Sequence, residues 1–341
     1  MSPLAAPARQ YQAGVETTNG TAVAATAKLI VPDIDFQPTD NVNRPRQARG
    51  QAIASPGGEF PVVRGSTWSV PAHPLNYEQL PFWLRAAIQG GVTATGGGAP
   101  YTWTFARSGL VDPALKAATL ERRRTDFTNH VDHEFAMCMP TRIRISGAQD
   151  GDMQLEVEGI ANRREGSTFT ASLQGPTLVQ VPFARTRVYL NDDWASLGNT
   201  LLAGKVISWS FEFMTGVKLL RTADNNSDLD HDIDVIDGRE VDTRATIRVL
   251  MDKTLYDAEL AKAETDPPPL RAVRFKADGP SSRAITIDGL YKHTAGSLLV
   301  PVDEVAGQDV YDINLQGATD GTNFLSAVVV NTSAVALGWS A

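Results

Sequence analysis

Apolar and polar residues alternate in short runs along most of this chain, the period-two pattern of half-buried strands. The runs cover residues 27–36, 66–70, 101–105, 141–145, 153–157, 178–188, 206–213, 243–251, 271–275, 284–287, 309–315 and 325–330. Clusters of Gly, Pro, Asn and Asp separate them, as turns require. Two stretches switch to helical spacing. In the first, Leu80, Leu84, Ala87 and Ile88 form a stripe, Pro81 fits the first turn, and Gly90-Gly91 ends the run. In the second, Tyr256, Leu260 and Ala263 form the stripe, Asp252 or Thr254 can cap the start, and Pro267-Pro268-Pro269 stops it.

The pattern also repeats. Ile30, Ile34, Asp35 and Phe36 match Ile207, Phe211, Glu212 and Phe213. Thr67-Trp68-Ser69-Val70 leading to Tyr77-Glu78 matches Thr246-Ile247-Arg248-Val249 leading to Tyr256-Asp257. The segment Arg142 to Gly147 echoes Ala284 to Gly289, and Met153 to Gly159 echoes Tyr311 to Gly317. Blocks in one order point to a tandem duplication. The expected organisation is an N-terminal arm at 1–20, a first β unit at 21–195 and a second at 196–341. Each unit is expected to be mainly β with one helix, set to cover one face of an antiparallel sheet. Long polar loops fall in matching places, at 37–59 and 215–241, and both exceed ordinary connection length. The Gly-rich segment 91–100 has no counterpart.

Length adds little to this, since 341 residues suit two ordinary domains. Charge adds more. Residues 1–190 carry 18 Lys+Arg against 16 Asp+Glu, and residues 191–341 carry 13 against 23, so the net charge of −8 comes from the second half. An acidic chain is a poor grip for nucleic acid, which is held by neutralising phosphates. No apolar run is long enough to span a bilayer as a helix. The first ten residues lack the charged start and apolar stretch of a signal peptide and are expected to form a flexible arm. A single cysteine, Cys138, excludes an internal disulfide, and maturation in a reducing cytoplasm is expected.

Candidate chemistry is sparse. Asp224-Asn225-Asn226-Ser227-Asp228-Leu229-Asp230 begins like a calcium loop, but Leu229 replaces the glycine and Val235 the bidentate glutamate. His130, Asp132, His133 and Glu134 cluster without the spacing of a zinc motif or a third ligand. Gly96-Gly97-Gly98 lacks the Lys-Ser/Thr of a phosphate loop. Cys138, between Met137 and Met139, reads as a buried thiol. Trp68, Trp83, Trp103, Trp194, Trp209 and Trp339 read as packing residues. No catalytic, cofactor-binding or metal-binding residue is expected, and the protein is expected to act by assembling rather than as an enzyme.

Two stretches stand out. One is Gly14-Val15-Glu16-Thr17-Thr18-Asn19-Gly20-Thr21-Ala22. The other runs from Gly65-Ser66-Thr67-Trp68 through Leu75-Asn76-Tyr77-Glu78-Gln79-Leu80-Pro81 to Leu84 and Ala87, then Tyr101-Thr102-Trp103-Thr104-Phe105. Both resemble the major tail tube proteins of long-tailed, non-contractile (siphovirus-type) bacteriophages. The resemblance implies a virion structural protein made in the host bacterial cytoplasm. Each repeat would be an antiparallel β-sandwich flanked by a helix and would be barrel-forming: its strands would join those of neighbouring copies in a β-barrel, with rings stacked into a tube. Genomic DNA would pass through the lumen, and tape measure and tail terminator proteins would be partners. A duplicated chain would close a pseudo-hexameric ring from three copies, where a single-unit chain needs six. The rival readings are a tail tip or capsid decoration protein, the tube protein of a contractile injection machine, and a carbohydrate-binding or hydrolytic β protein.

Overall fold

The computed structural model describes residues 8–39, 41–43, 46–47, 55–56, 60–108, 113–125, 130–222, 230–231, 233–250, 252–294, 301–305 and 307–334. The chain is mainly β and antiparallel, with two α-helices among the described residues. In chain order it forms β1 (Ala8–Val15), β2 (Ala27–Leu29), β3 (Asp35–Pro38), four short strands β4 (Asn41–Asn43), β5 (Arg46–Gln47), β6 (Ser55–Pro56) and β7 (Phe60–Val63), then β8 (Ser66–Pro74), α1 (Leu80–Ala87), β9 (Tyr101–Arg107), β10 (Ala118–Thr125), β11 (His130–Ala148), β12 (Gln154–Ala161) and β13 (Arg164–Gly166). It continues with β14 (Thr186–Asn191), β15 (Val206–Met214), β16 (Val217–Leu220), β17 (Ile233–Ile236), β18 (Asp242–Leu250), α2 (Lys253–Ala263), β19 (Arg271–Asp278), β20 (Ala284–His293), β21 (Pro301–Val305), β22 (Gln308–Gly317) and β23 (Leu325–Asn331).

The longest layer runs β3-β8-β12-β11-β15-β18-β22-β21. Strict alternation gives it one apolar face. Val70, Ile143, Ile145, Leu155, Val157, Phe211, Phe213, Ile247 and Ile313 are all buried there. A second layer, β14-β19-β20-β23-β9, covers part of that face. Trp209 of β15 stacks on Phe275 of β19 with ring centroids 4.3 Å apart. β11 serves two neighbourhoods. Its first half pairs with β10 and β13, its second half with β12 and β15, and a register shift falls between Pro140 and Arg142. The larger apolar cluster draws on residues from both sides of the expected boundary at residue 195, and β9 pairs with β23 from the far end of the chain.

Connections recur in the two parts. A ribbon of short strands (β4 with β7, β5 with β6) lies between β3 and β8, and the ribbon β16–β17 lies between β15 and β18. α1 follows β8, and α2 follows β18. Ladder registers recur as well. Phe36 faces Trp68 where Phe213 faces Thr243; Val70 faces Val157 where Ala245 faces Leu315. Gly159 pairs with Trp68, and Gly317 lies beside Thr243; a Cβ on either glycine would collide with that neighbour, at 2.3 Å and 2.5 Å.

The ladders correct two of the sequence matches. Trp68 and Val70 occupy the ladder positions of Thr243 and Ala245, four residues before the segment matched to them by sequence. Alternating strands resemble themselves after any even shift, so sequence alone does not set the register. Residues 284–289 pair with β19 and β23, and β22 meets β20 only at Tyr291 to His293.

Other expectations also change. Residues 8–15, expected in a flexible arm, form β1 between β10 and β2, with Tyr11 and Ala13 buried. The expected strand at 27–36 is two strands with a break. The expected strand at 178–188 begins only at Thr186, after the proline at 182 and a 3-10 turn (Phe183–Arg185); Pro176 and Pro182 supply no ladder donors. α1 starts as expected, with Pro81 in its first turn. Asp252 caps α2, accepting from the Leu255 N–H at 2.9 Å.

Candidate functional site

The solvated face of the long layer carries its charged and polar side chains in register. Adjacent strands place like-facing residues side by side, so each cross-strand row can be read as a line of charges. One row, from β12 to β22, is Glu156, Arg144, Glu212, Arg244, Gln316. The next, from β8 to β18, is Ser69, Glu158, Arg142, Met214, Asp242. A third is uncharged: Gln154, Ser146, Ser210, Thr246, Asn314. A fourth places Ser208 beside Arg248 and Asp312.

The charges interlock. Arg142 Nη2 lies 2.8 Å from Glu156, Nη1 3.3 Å from Glu158 and Nε 3.6 Å from Glu212, bridging three strands. Arg144 Nη1 lies 3.8 Å from Glu156. Arg248 donates to both oxygens of Asp312, at 2.8 and 3.0 Å, and this raises its pKa. Arg244 donates to Asp242 at 3.2 Å. The acidic second half thus contributes Glu212, Asp242 and Asp312 to this face, each beside an arginine.

The layer ends in two strands whose outer sides carry no partner among the described residues, β3 and β21. Val302 of β21 is 47% exposed. The ribbon β16–β17 presents a second surface. Its inner side packs Val217, Leu219 and Ile236 against Leu115, Met137 and Met139. Its outer side exposes Leu220, Ile233 and Val235 by 40% or more. An unpaired edge and an apolar ribbon are both surfaces on which chains associate.

The weaker sequence candidates disperse. Residues 224–229 of the calcium-like loop lie outside the described residues; Asp230 accepts from the Arg163 backbone N–H and pairs with its side chain, each at 3.2 Å. Asp132 is held bidentately by Arg123 at 2.8 Å, which lowers its pKa, while Glu134 accepts from Ser167. His133 faces Arg122, and burial followed by nearby arginines lowers its pKa. Among the described residues no group of three or more His, Cys, Asp or Glu is placed to hold a metal. Gly96-Gly97-Gly98 is an exposed bend. Burial raises the Cys138 thiol pKa well above its ordinary value. Trp68, Trp83, Trp103 and Trp209 are buried and Trp194 is half-buried, while Trp339 lies outside the described residues. No described helix is long and apolar enough to cross a membrane.

Sequence reasoning missed the buried charges. Glu259 of α2 is 2% exposed and accepts from Arg271 (2.7 and 3.1 Å), with His293 Nε2 at 3.1 Å. Lys262 and Asp192 complete the cluster at the mouth of a groove of about 780 Å³ beside α2. No single segment signals this group, because its members lie on α2, β19, β20 and the loop after β14.

Compared by sequence with models of known protein families and with curated proteins, the chain matches none.

Proposed function

We propose that this chain is a structural subunit that assembles with copies of itself into stacked rings, forming the tube of a bacteriophage tail through which DNA is delivered. The observation that carries the reading is the recurrent plan of strand, ribbon, strand, helix in β3–α1 and β15–α2, with matching ladder registers, inside one continuous layer. Such a layer with two open edges can be extended by a neighbouring copy. Ring closure would then remove both edges, as closed barrels do. The tandem duplication belongs to this proposal: two like units per chain would make a pseudo-hexameric ring of three copies.

In this reading the polar face is the luminal wall and the ribbons reach adjacent rings. Tape measure and terminator proteins are partners by the family resemblance alone. Negative-stain electron microscopy of the purified protein tests the assembly. Three-fold rings with six similar lobes, stacked into hollow tubes, are expected; a protein that stays monomeric at every concentration sinks the reading. The variant Leu220→Glu/Val235→Glu tests the ribbon. It is expected to leave rings intact and abolish stacking, and tubes of normal length would remove the ribbon from the account.

A further inference from the structure

The polar face of the long layer has an uneven relationship to a passing polyanion. Its four rows between β8 and β22 carry four guanidiniums, Arg142, Arg144, Arg244 and Arg248. Arginine is the side chain best suited to hold phosphate, because its planar fork matches two oxygens at once. A wall of bare arginines at strand spacing would be a phosphate-binding surface. The same rows carry five carboxylates: Glu156, Glu158, Glu212, Asp242 and Asp312. The balance is close to neutral, so simple repulsion of DNA would be weak.

We propose that this face passes double-stranded DNA without holding it because its carboxylates occupy its arginines, with Glu156, Glu158 and Glu212 masking Arg142 and Arg144. The inference rests on the conduit reading for its purpose, though not for its chemistry. Affinity for nucleic acid is driven largely by exchanging condensed counterions for protein cations. A guanidinium already within 4 Å of a carboxylate gains little from that exchange, since binding phosphate would strip the carboxylate of its partner. Arg142 is the hub, with a different carboxylate near each of its three nitrogens. At physiological salt the screening length of about 8 Å exceeds these separations, so a phosphate at the surface meets paired charges rather than single ones. The remaining positions complete the picture. The third row offers only hydroxyls and amides, and no row contains an aromatic side chain on which a base could stack.

The masking carboxylates are part-exposed, with side-chain exposures of 27% for Glu156 and 25% for Glu212, so amides of the same shape fit in their place. The test uses full-length protein, taken as the unassembled fraction from size exclusion, and a short fluorescein-labelled DNA duplex read by anisotropy. The natural protein is expected to show no saturable binding. Glu156→Gln/Glu212→Gln is expected to bind, with affinity falling about tenfold between ~50 and ~200 mM salt, the dependence of about two phosphate contacts. Adding Arg142→Gln/Arg144→Gln is expected to abolish that binding. If the double variant does not fold, Glu212→Gln alone is measured in the same way and shows a smaller gain. The proposal is overturned if a folded glutamine variant binds no better than the natural protein, if the natural protein binds equally well, or if binding survives loss of both arginines. Because the assay does not involve assembly, absence of tubes would remove the conduit reading and leave this result standing.

Discussion

α1 and α2 follow corresponding strands of the long layer, yet opposite physics seats them. α1 is apolar on nearly every side: Leu80, Phe82, Trp83, Leu84, Ala86 and Ala87 are all buried. Trp83 sits against Trp68 and Phe82, with ring centroids 5.9 and 4.8 Å away. α2 buries one residue, Glu259, whose carboxylate meets Arg271 and His293 on the strands beneath it. Tyr256 touches Tyr311 edge-on, and Leu255 and Leu260 are only half-buried. The same place in a strand order can therefore be filled by a helix inside the core or by one clipped over it through ion pairs. The difference follows from what covers each helix. α1 is roofed by the rest of the chain, whereas the outer side of α2 faces solvent and carries Lys253, Asp257 and Ala261.

That contrast can be broken most strongly at α1. Trp83→Ala should cost about 4 kcal/mol of unfolding free energy, as truncating a large core aromatic does, measured by denaturant titration. A cost under about 1 kcal/mol would mean that α1 is not part of the core. Glu259→Ala should cost about 3 kcal/mol, because it strands the Arg271 guanidinium in the interior. The triple replacement Glu259→Met/Arg271→Met/His293→Leu should recover most of that loss, since an apolar cluster of similar size removes the desolvation penalty with the charges. Failure of the triple variant to outperform the single one would show that the cluster contributes more than seating.

A smaller effect appears with acid. Burial pushes the Glu259 carboxyl pKa up, but the hydrogen bond with His293 and the charges of Arg271 and Lys262 outweigh it, so the net shift is downward. A carboxyl with a lowered folded pKa stabilises the fold above its unfolded value. That contribution is lost as pH falls through the folded value. Stability measured from neutral pH down through the carboxylate range should therefore decline less steeply in Glu259→Gln than in the natural protein; equal slopes would refute the assignment. The smallest effect is expected at the cap. Asp252→Ala should cost about 1 kcal/mol by leaving the Leu255 N–H unpaired, with no matching cost at α1, whose Gln79 side chain makes no capping bond.

Much of this was legible in the chain before folding. Alternation located most strands of the long layer, because each has one dry and one wet face and the period of two records it directly. Pro81 and Asp252 marked helix starts through local backbone chemistry alone. β10 was not legible. Its residues read Ala-Thr-Leu-Glu-Arg-Arg-Arg-Thr, yet Glu121 and Arg122 are buried. Glu121 accepts from Ala25 and Thr170, and Arg122 lies over the rings of Phe36 and Phe135. Those partners come from segments far apart in sequence, so no local pattern reports them. The candidate surface divides in the same way. Individual arginines and glutamates were visible, but their order in rows depends on ladder registers.

By itself the sequence determined which side chains face in or out along the alternating strands, where two helices begin, and how charge divides between the halves, because these depend on neighbours within a few residues. The tertiary structure decided which strands lie side by side, the four-residue offset between the two parts, the strand at 8–15, and the pairing of each surface arginine with its carboxylates. Those depend on contacts between distant segments, and a period-two pattern is satisfied equally well by many registers until packing selects one.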